Sequence, residues 1–141
     1  MKVLFLDFDG VLNSHAYLEG VAWDARGTAR LDWSRMLDPV AVALLSEVAE
    51  RTGAVVVVSS SWRRAHGDEE LRGFLVSRGF AGRVIGSTPS FTRTSPGRSL
   101  PESVPVQRGE EIAAWIAARA GDISSFAILD DDGDMAHLAK R

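Results

Sequence analysis

The chain contains no cysteine. That excludes a disulfide scaffold, thiolate metal sites and cysteine catalysis. Lysine is almost missing as well: of 16 basic residues, 14 are arginine, and Lys2 and Lys140 are the two lysines. Any chemistry that needs a lysine must use one of those two. Long apolar runs are lacking, and nothing approaches the roughly 18 consecutive apolar residues of a membrane span. The N-terminal run Val3-Leu4-Phe5-Leu6 stops at Asp7, too short for the core of a secretory signal. A cytoplasmic location with no membrane partner is therefore expected. Excess positive charge is absent too: 19 acids against 16 bases give −3, so the protein as a whole is not a polyanion binder. The length of 141 residues suits one domain by the soft rule of roughly 150 residues each. Such a domain buries roughly two thirds of its unfolded surface and folds without a disulfide or structural zinc.

Four short apolar runs are present: Lys2–Asp7 (KVLFLD), Ala54–Ser59 (AVVVVS), Arg83–Gly86 (RVIG) and Phe126–Asp130 (FAILD). The first two and the last are continuous rather than alternating, as for strands buried on both faces of a parallel sheet. Helical patterns lie between them. Asp38-Pro39 reads as an N-cap followed by proline at the first helical position. Val40, Leu44, Leu45 and Val48 follow at helical spacing, and Gly53 can close that helix. Asp68-Glu69-Glu70 favours a second helix start, with Leu71, Phe74 and Leu75 inward and Gly79 as its stop. A third helix is expected from about 109 to 120, with Ile112, Trp115 and Ile116 inward, and a fourth from about Asp134. The alternation predicts an α/β domain with a parallel sheet. Residues 14–37 lack a clear period, and residues 86–107 carry four of the five prolines. Both read as long loops, which in compact domains are usually functional or disordered.

Three of the four runs end in a polar residue, Asp7, Ser59 and Asp130. Ligands of open parallel sheets bind outside the carboxyl ends of the strands, so these three, with Asp9, describe a site. In Asp7-Phe8-Asp9-Gly10 two carboxylates lie two residues apart, and such density calls for a counter-ion or a shared proton. Magnesium, which takes oxygen ligands, is the natural partner. Asp130, Asp131, Asp132 and Asp134 add carboxylates directly after another buried strand.

These motifs resemble those of the haloacid dehalogenase-like superfamily of phosphohydrolases. Asp7-x-Asp9-Gly10-Val11 is similar to its first motif, Ser59 after AVVVV to its second, and Asp130-Asp131 after FAIL to its fourth. The resemblance runs from residue 2 to about 135. The strings Ser59-Ser60-Ser61-Trp62-Arg63, Arg108-Gly109-Glu110-Glu111-Ile112 and Leu129-Asp130-Asp131-Asp132 are similar to a compact branch linked to nucleic-acid repair phosphatases. The resemblance implies a Rossmann-like three-layer α/β/α fold with a parallel sheet of order 3-2-1-4. It implies one catalytic domain over 1–141 with a minimal cap or none. The 14–37 loop would serve as a small flap, and a second loop would span about 86–107.

The resemblance also implies roles. Asp7 would be the nucleophile that forms an aspartyl-phosphate. Asp9 would protonate the leaving oxygen and then activate water. Ser59 would hydrogen-bond a phosphoryl oxygen, and backbone amides around Gly10 and Ser60 would cradle the others. Mg2+ would be held by Asp7, Asp130, Asp131 and the backbone carbonyl of Asp9. The third motif needs a cation. Lys2 begins the first strand and Lys140 lies beyond the fourth motif, which leaves Arg108, just before the helix that leads into the last strand.

Other residues stay open. Arg63 and Arg64 either touch substrate phosphate or sit on the surface. His15 and His66 are candidate polar contacts. Trp23, Trp33 and Trp62 either stack on a base or pack the irregular 14–37 segment. Arg93, Arg98 and Arg108 against Glu102 make the 93–108 stretch attractive to phosphate-rich partners. The expected activity is a magnesium-dependent phosphomonoesterase acting on a phosphorylated substrate, a nucleic-acid end or nucleotide among the candidates. The alternatives are a catalytically silent phosphate- or nucleic-acid-binding domain and a receiver-type phospho-acceptor module. Receivers place paired acids after strand one, the accepting Asp after strand three and a lysine after strand five, an order this chain does not follow. The chain stops soon after its last strand, where members of the superfamily often add another, so a piece of a longer protein is a further expectation.

Overall fold

The computed structural model describes residues 1–21, 32–95 and 102–138. Trp23, Arg98 and Lys140 lie outside the described residues, as do the middle parts of the 14–37 and 86–107 stretches.

Strand β1 (Lys2–Leu6) is the central element, because its apolar run is flanked on both sides. It pairs in parallel with β2 (Val55–Val58) and with β6 (Ser125–Leu129), and β2 pairs with β3 (Val84–Ser87). The order β3-β2-β1-β6 is the expected 3-2-1-4 arrangement of the four apolar runs. Alternate residues of β1 point to opposite faces. Leu4 and Leu6 join one core with Val56 and Val58; Val3 and Phe5 join the other with Val55 and Val57. Phe5 and Leu6 are wholly buried, and each contributes roughly 1.5–3 kcal/mol by leaving water.

Helices α2 (Pro39–Thr52) and α3 (Asp68–Ser77) cover the Leu4 face, while α4 (Arg108–Ala117) covers the Phe5 face. The fold is thus an α/β/α sandwich on a Rossmann-like sheet, and no large cap interrupts it among the described residues. In α2, Asp38 accepts the Val40 N–H at 2.9 Å, Pro39 takes the first turn, and Gly53 closes the helix at φ +69°. None of the described helices is long and apolar enough to cross a membrane.

Five expectations change. The last apolar run is not buried on both faces: β6 is an edge strand in which Phe126 and Ile128 are half-buried and Ala127 and Leu129 are exposed. Helix α2 forms where the spacing predicts it, but of Val40, Leu44, Leu45 and Val48 only Leu45 is buried. Val42, Leu45 and Ala49 pack inward, whereas Val40 and Leu44 are 67% and 60% exposed. Apolar residues occur on both sides of this helix, so spacing alone does not choose between them. The 14–37 stretch contains α1 (His15–Gly20), capped by Ser14, and a 3-10 turn at Trp33–Met36, capped by Asp32. The 86–107 stretch contains an antiparallel ribbon of β4 (Thr92–Ser95) and β5 (Glu102–Pro105). Its residues are too polar to show a buried-strand pattern. The expected last helix is only a 3-10 turn, Ala136–Leu138. Met135 and Leu138 anchor this turn in the Phe5-side core.

Candidate active site

The sheet ladder runs one residue past β1 on both sides. The Asp7 N–H donates to the Leu129 carbonyl at 2.9 Å, and the Ser59 N–H donates to the Leu6 carbonyl at 2.7 Å. Asp7, Ser59 and Asp130 therefore leave the sheet side by side at its carboxyl edge. Beyond Asp7 the chain turns sharply. The Leu12 N–H reaches the Phe8 carbonyl at 2.8 Å, and Gly10 adopts φ +78°. A Cβ at Gly10 would lie 2.1 Å from Asp131 Oδ2, so glycine lets the first-strand turn approach the acids after β6.

Asp7 is buried, and its burial pushes the carboxyl above its ordinary value. Hydrogen bonding and charge from Arg108, the Phe8 N–H and Ser60 oppose that rise. Its Oδ1 accepts the Phe8 N–H at 2.7 Å, and its Oδ2 accepts Arg108 Nη1 at 2.6 Å. The same Nη1 lies 2.6 Å from Asp130 Oδ2. Burial lowers the Arg108 guanidinium, but bonds to Asp130 and Asp7 and their charges outweigh it and hold Arg108 above the ordinary arginine value. Arg108 begins α4, and its own N–H donates to Asp134 Oδ2 at 2.9 Å. Gln107 makes no side-chain cap, so Asp134 caps this helix from the loop after β6. Backbone and side chain of Arg108 are thus both tied to that loop.

Asp7, Asp130 and Asp131 each offer a carboxylate oxygen within 4.8 Å of the others. An all-oxygen, anionic donor set of this kind fits a hard divalent cation such as magnesium. Of the remaining acids, Asp132 is exposed and donates its N–H to Asp130 Oδ1 at 2.9 Å, and Asp134 serves as the cap.

The Asp9 side chain stands outside the three-acid cluster. Trp62 Nε1 donates to both its oxygens, at 3.1 and 3.0 Å, and Asn13 Nδ2 donates to Oδ1 at 3.2 Å. Ser59 is buried, and its hydroxyl lies 3.4 Å from Thr88 Oγ1, which donates to it. Ser60 caps the 3-10 turn Ser61–Arg64 by accepting the Trp62 N–H at 3.4 Å.

Arg63 is not a surface residue, and its Nε has no hydrogen-bond partner among the described residues. Its side chain is 3% exposed, and it pairs with Glu111 and donates to the carbonyls of Ser60 and Pro89. Burial lowers its guanidinium below the ordinary arginine value despite Glu111. Glu111 also accepts the Phe91 N–H at 2.7 Å, which ties the root of the ribbon to α4. Arg64 reaches Ser90 Oγ at 3.3 Å, and Arg93 pairs with Glu110 at 2.7 Å. His15 pairs with Glu19 on the exposed α1. His66 packs edge-on against Trp33 and Phe74 and faces Glu70 at 3.4 Å. Trp62 is buried, edge-on to Phe8 and to Trp33, so neither of its faces is open to a base.

Sequence reasoning missed Trp62 as a partner of Asp9, together with Asn13, Thr88, Glu111 and the capping role of Asp134. A glutamate at a position that helical spacing turns inward was the available signal for Glu111.

A parallel sheet that delivers Asp7, a serine and paired acids to one edge, with an arginine bridging two of the acids, is the architecture of the haloacid dehalogenase-like class, a superfamily of hydrolases and phosphatases. Within it, this chain belongs to the family described as the HAD domain in Swiss Army Knife RNA repair proteins, whose model matches residues 3–141. No curated protein and no solved structure matches the chain.

Proposed function

We propose that the protein is a magnesium-dependent phosphomonoesterase that acts through an aspartyl-phosphate on Asp7. The observation that carries this reading is the environment of Asp7: buried, gripped by Arg108 and bordered by Asp130 and Asp131. A carboxylate so placed is poor in ordinary surface roles and apt as a nucleophile. Residues 1–141 act as one catalytic domain.

In the first step the Asp7 carboxylate forms a bond to phosphorus as the ester P–O bond breaks. Asp9 donates its proton to the departing oxygen. In the second step water attacks the same phosphorus, Asp9 takes its proton, and the bond to Asp7 breaks to release inorganic phosphate. Ser59 and the amides near Gly10 and Ser60 hydrogen-bond the phosphoryl oxygens. Magnesium, when bound by Asp7, Asp130, Asp131 and the Asp9 carbonyl, neutralises charge on the transferring group. Arg108 holds Asp7 and Asp130 together.

The substrate is a phosphorylated nucleic-acid end or nucleotide. The family description, which places such domains in RNA repair proteins, supports this. So does a site with no large cap among the described residues and with Arg64 and Arg93 at the exposed root of the ribbon. The test is a substrate panel, with oligonucleotides bearing 3′ or 5′ phosphate, mononucleotides and an aryl phosphate, assayed with magnesium and with chelator. Turnover of an oligonucleotide phosphate that needs magnesium and disappears in Asp7→Asn is expected. Fast turnover of small phosphates alone would overturn the substrate assignment, and full activity in Asp7→Asn would overturn the nucleophile.

A further inference from the structure

We propose that Trp62 is a positioning residue for Asp9, fixing the carboxylate that exchanges protons with the leaving group. The inference rests on the phosphomonoesterase reading above.

Asp9 lies on a turn and is exposed, so nothing in its own segment except Asn13 restrains its side chain. A free carboxylate would sample several rotamers, whereas proton transfer requires one. Trp62 supplies the restraint from a different part of the chain, the turn after β2. Its Nε1–H is shared between both carboxylate oxygens, at 3.1 and 3.0 Å, which fixes the direction of the group, while Asn13 Nδ2 on Oδ1 alone, at 3.2 Å, opposes its rotation.

The indole suits this task chemically. It is a donor only, with no lone pair to accept a proton, so it orients Asp9 without competing for the proton being moved. It is also immobile. Trp62 is buried, with Phe8 and Trp33 each 5.2 Å away edge-on and Phe74 at 6.1 Å. Phe8 is the residue between Asp7 and Asp9, so the same ring that holds the Asp9 carboxylate also packs against the side chain that separates the two acids. Ser60 fixes the other end of Trp62 through its backbone N–H. The proton-transfer group is therefore aligned by the segment that carries Ser59.

The test compares kcat/KM for an alkyl phosphate, whose leaving oxygen needs a proton, with that for p-nitrophenyl phosphate, whose leaving oxygen does not. Trp62→Phe keeps a ring among Phe8, Trp33 and Phe74 and removes the donor. The expected result is a loss of about tenfold to hundredfold on the alkyl phosphate, the scale of a misaligned acid, and less than about threefold on the aryl ester. Asp9→Asn should show the same contrast, larger. If Trp62→Phe does not fold, 3-benzothienylalanine placed at position 62 keeps the two-ring shape and lacks only the N–H. Equal losses on both substrates, or none on either, would make Trp62 a packing residue and overturn the inference. A wild-type protein that turns over neither ester would overturn the phosphomonoesterase reading and this inference with it, an outcome distinct from equal losses in an active enzyme.

Discussion

Arg63 and Glu111 form an ion pair almost wholly removed from solvent, with side chains 3% and 1% exposed. The pair joins the turn after β2 to α4, and Glu111 also holds the Phe91 N–H at the root of the ribbon. Buried pairs gain little over an apolar replacement, but losing one partner strands the other charge. Glu111→Gln is expected to cost about 3–5 kcal/mol, read as a lower urea midpoint at unchanged slope. The double replacement Arg63→Met with Glu111→Leu should recover much of that loss. A double variant as unstable as the single one would show that the hydrogen bonds to Phe91, Ser60 and Pro89 matter more than the charge pairing.

The raised carboxyl of Asp7 has a consequence for stability without metal. The folded state holds that proton more tightly than the unfolded chain, so stability falls as pH rises from the ordinary carboxylate value through the raised one. In chelator, the unfolding free energy of the wild type minus that of Asp7→Asn should therefore decline from acid to neutral pH. Magnesium should offset the cost by binding the folded state and raise the melting temperature of the wild type more than that of Asp7→Asn or Asp130→Asn. A pH-independent difference between the two proteins would contradict the burial of a charged Asp7.

One nitrogen of Arg108, Nη1, meets both Asp7 and Asp130. A point charge can imitate that contact, although it cannot imitate a planar fork. Arg108→Ala is expected to lower kcat/KM about 10²–10³-fold, the range seen for loss of an electrostatic donor at a reacting group. Arg108→Lys should keep a measurable part of the activity. Equal losses in the two variants would mean that the guanidinium's other nitrogens carry the function.

Gly10→Ala offers a test of the approach between the two acidic turns. The new Cβ would sit 2.1 Å from Asp131 Oδ2, at a residue with φ +78°. The backbone alone costs about 1–2 kcal/mol in this region for a residue with a side chain. The displaced Asp131 should in addition weaken magnesium binding in a calorimetric titration. Unchanged magnesium affinity would remove Asp131 from the metal ligands.

Much of the fold is legible in the chain because β1 and β2 are apolar on both faces and read as unbroken runs, and the edge strand β6 is nearly as apolar. Asp7, Ser59 and Asp130 were found for the same reason, since a polar residue ending such a run has one edge to occupy. The sequence reading could not orient α2, whose apolar residues ring the helix, nor see β4 and β5, whose stability comes from pairing rather than burial. At the site, the first-motif acids, Arg108 and the cluster of Asp7, Asp130 and Asp131 follow from position along the chain. Arg63, Trp62 and Asp134 do not, because their partners Glu111, Asp9 and the Arg108 N–H are remote in sequence. No local pattern marks a side chain that reaches across the fold.

Asp7 and Asp130 stand on neighbouring strands, Leu6 in register with Leu129, yet they come from opposite ends of the sequence. Synthesis presents Asp7 well before Arg108 and the acids that follow β6. The docking of β6 on β1 is then the step that brings Asp130 and Asp131 beside Asp7. A molecule with β6 detached keeps most of its sheet but loses Asp130 and Asp131, the two acids that border Asp7.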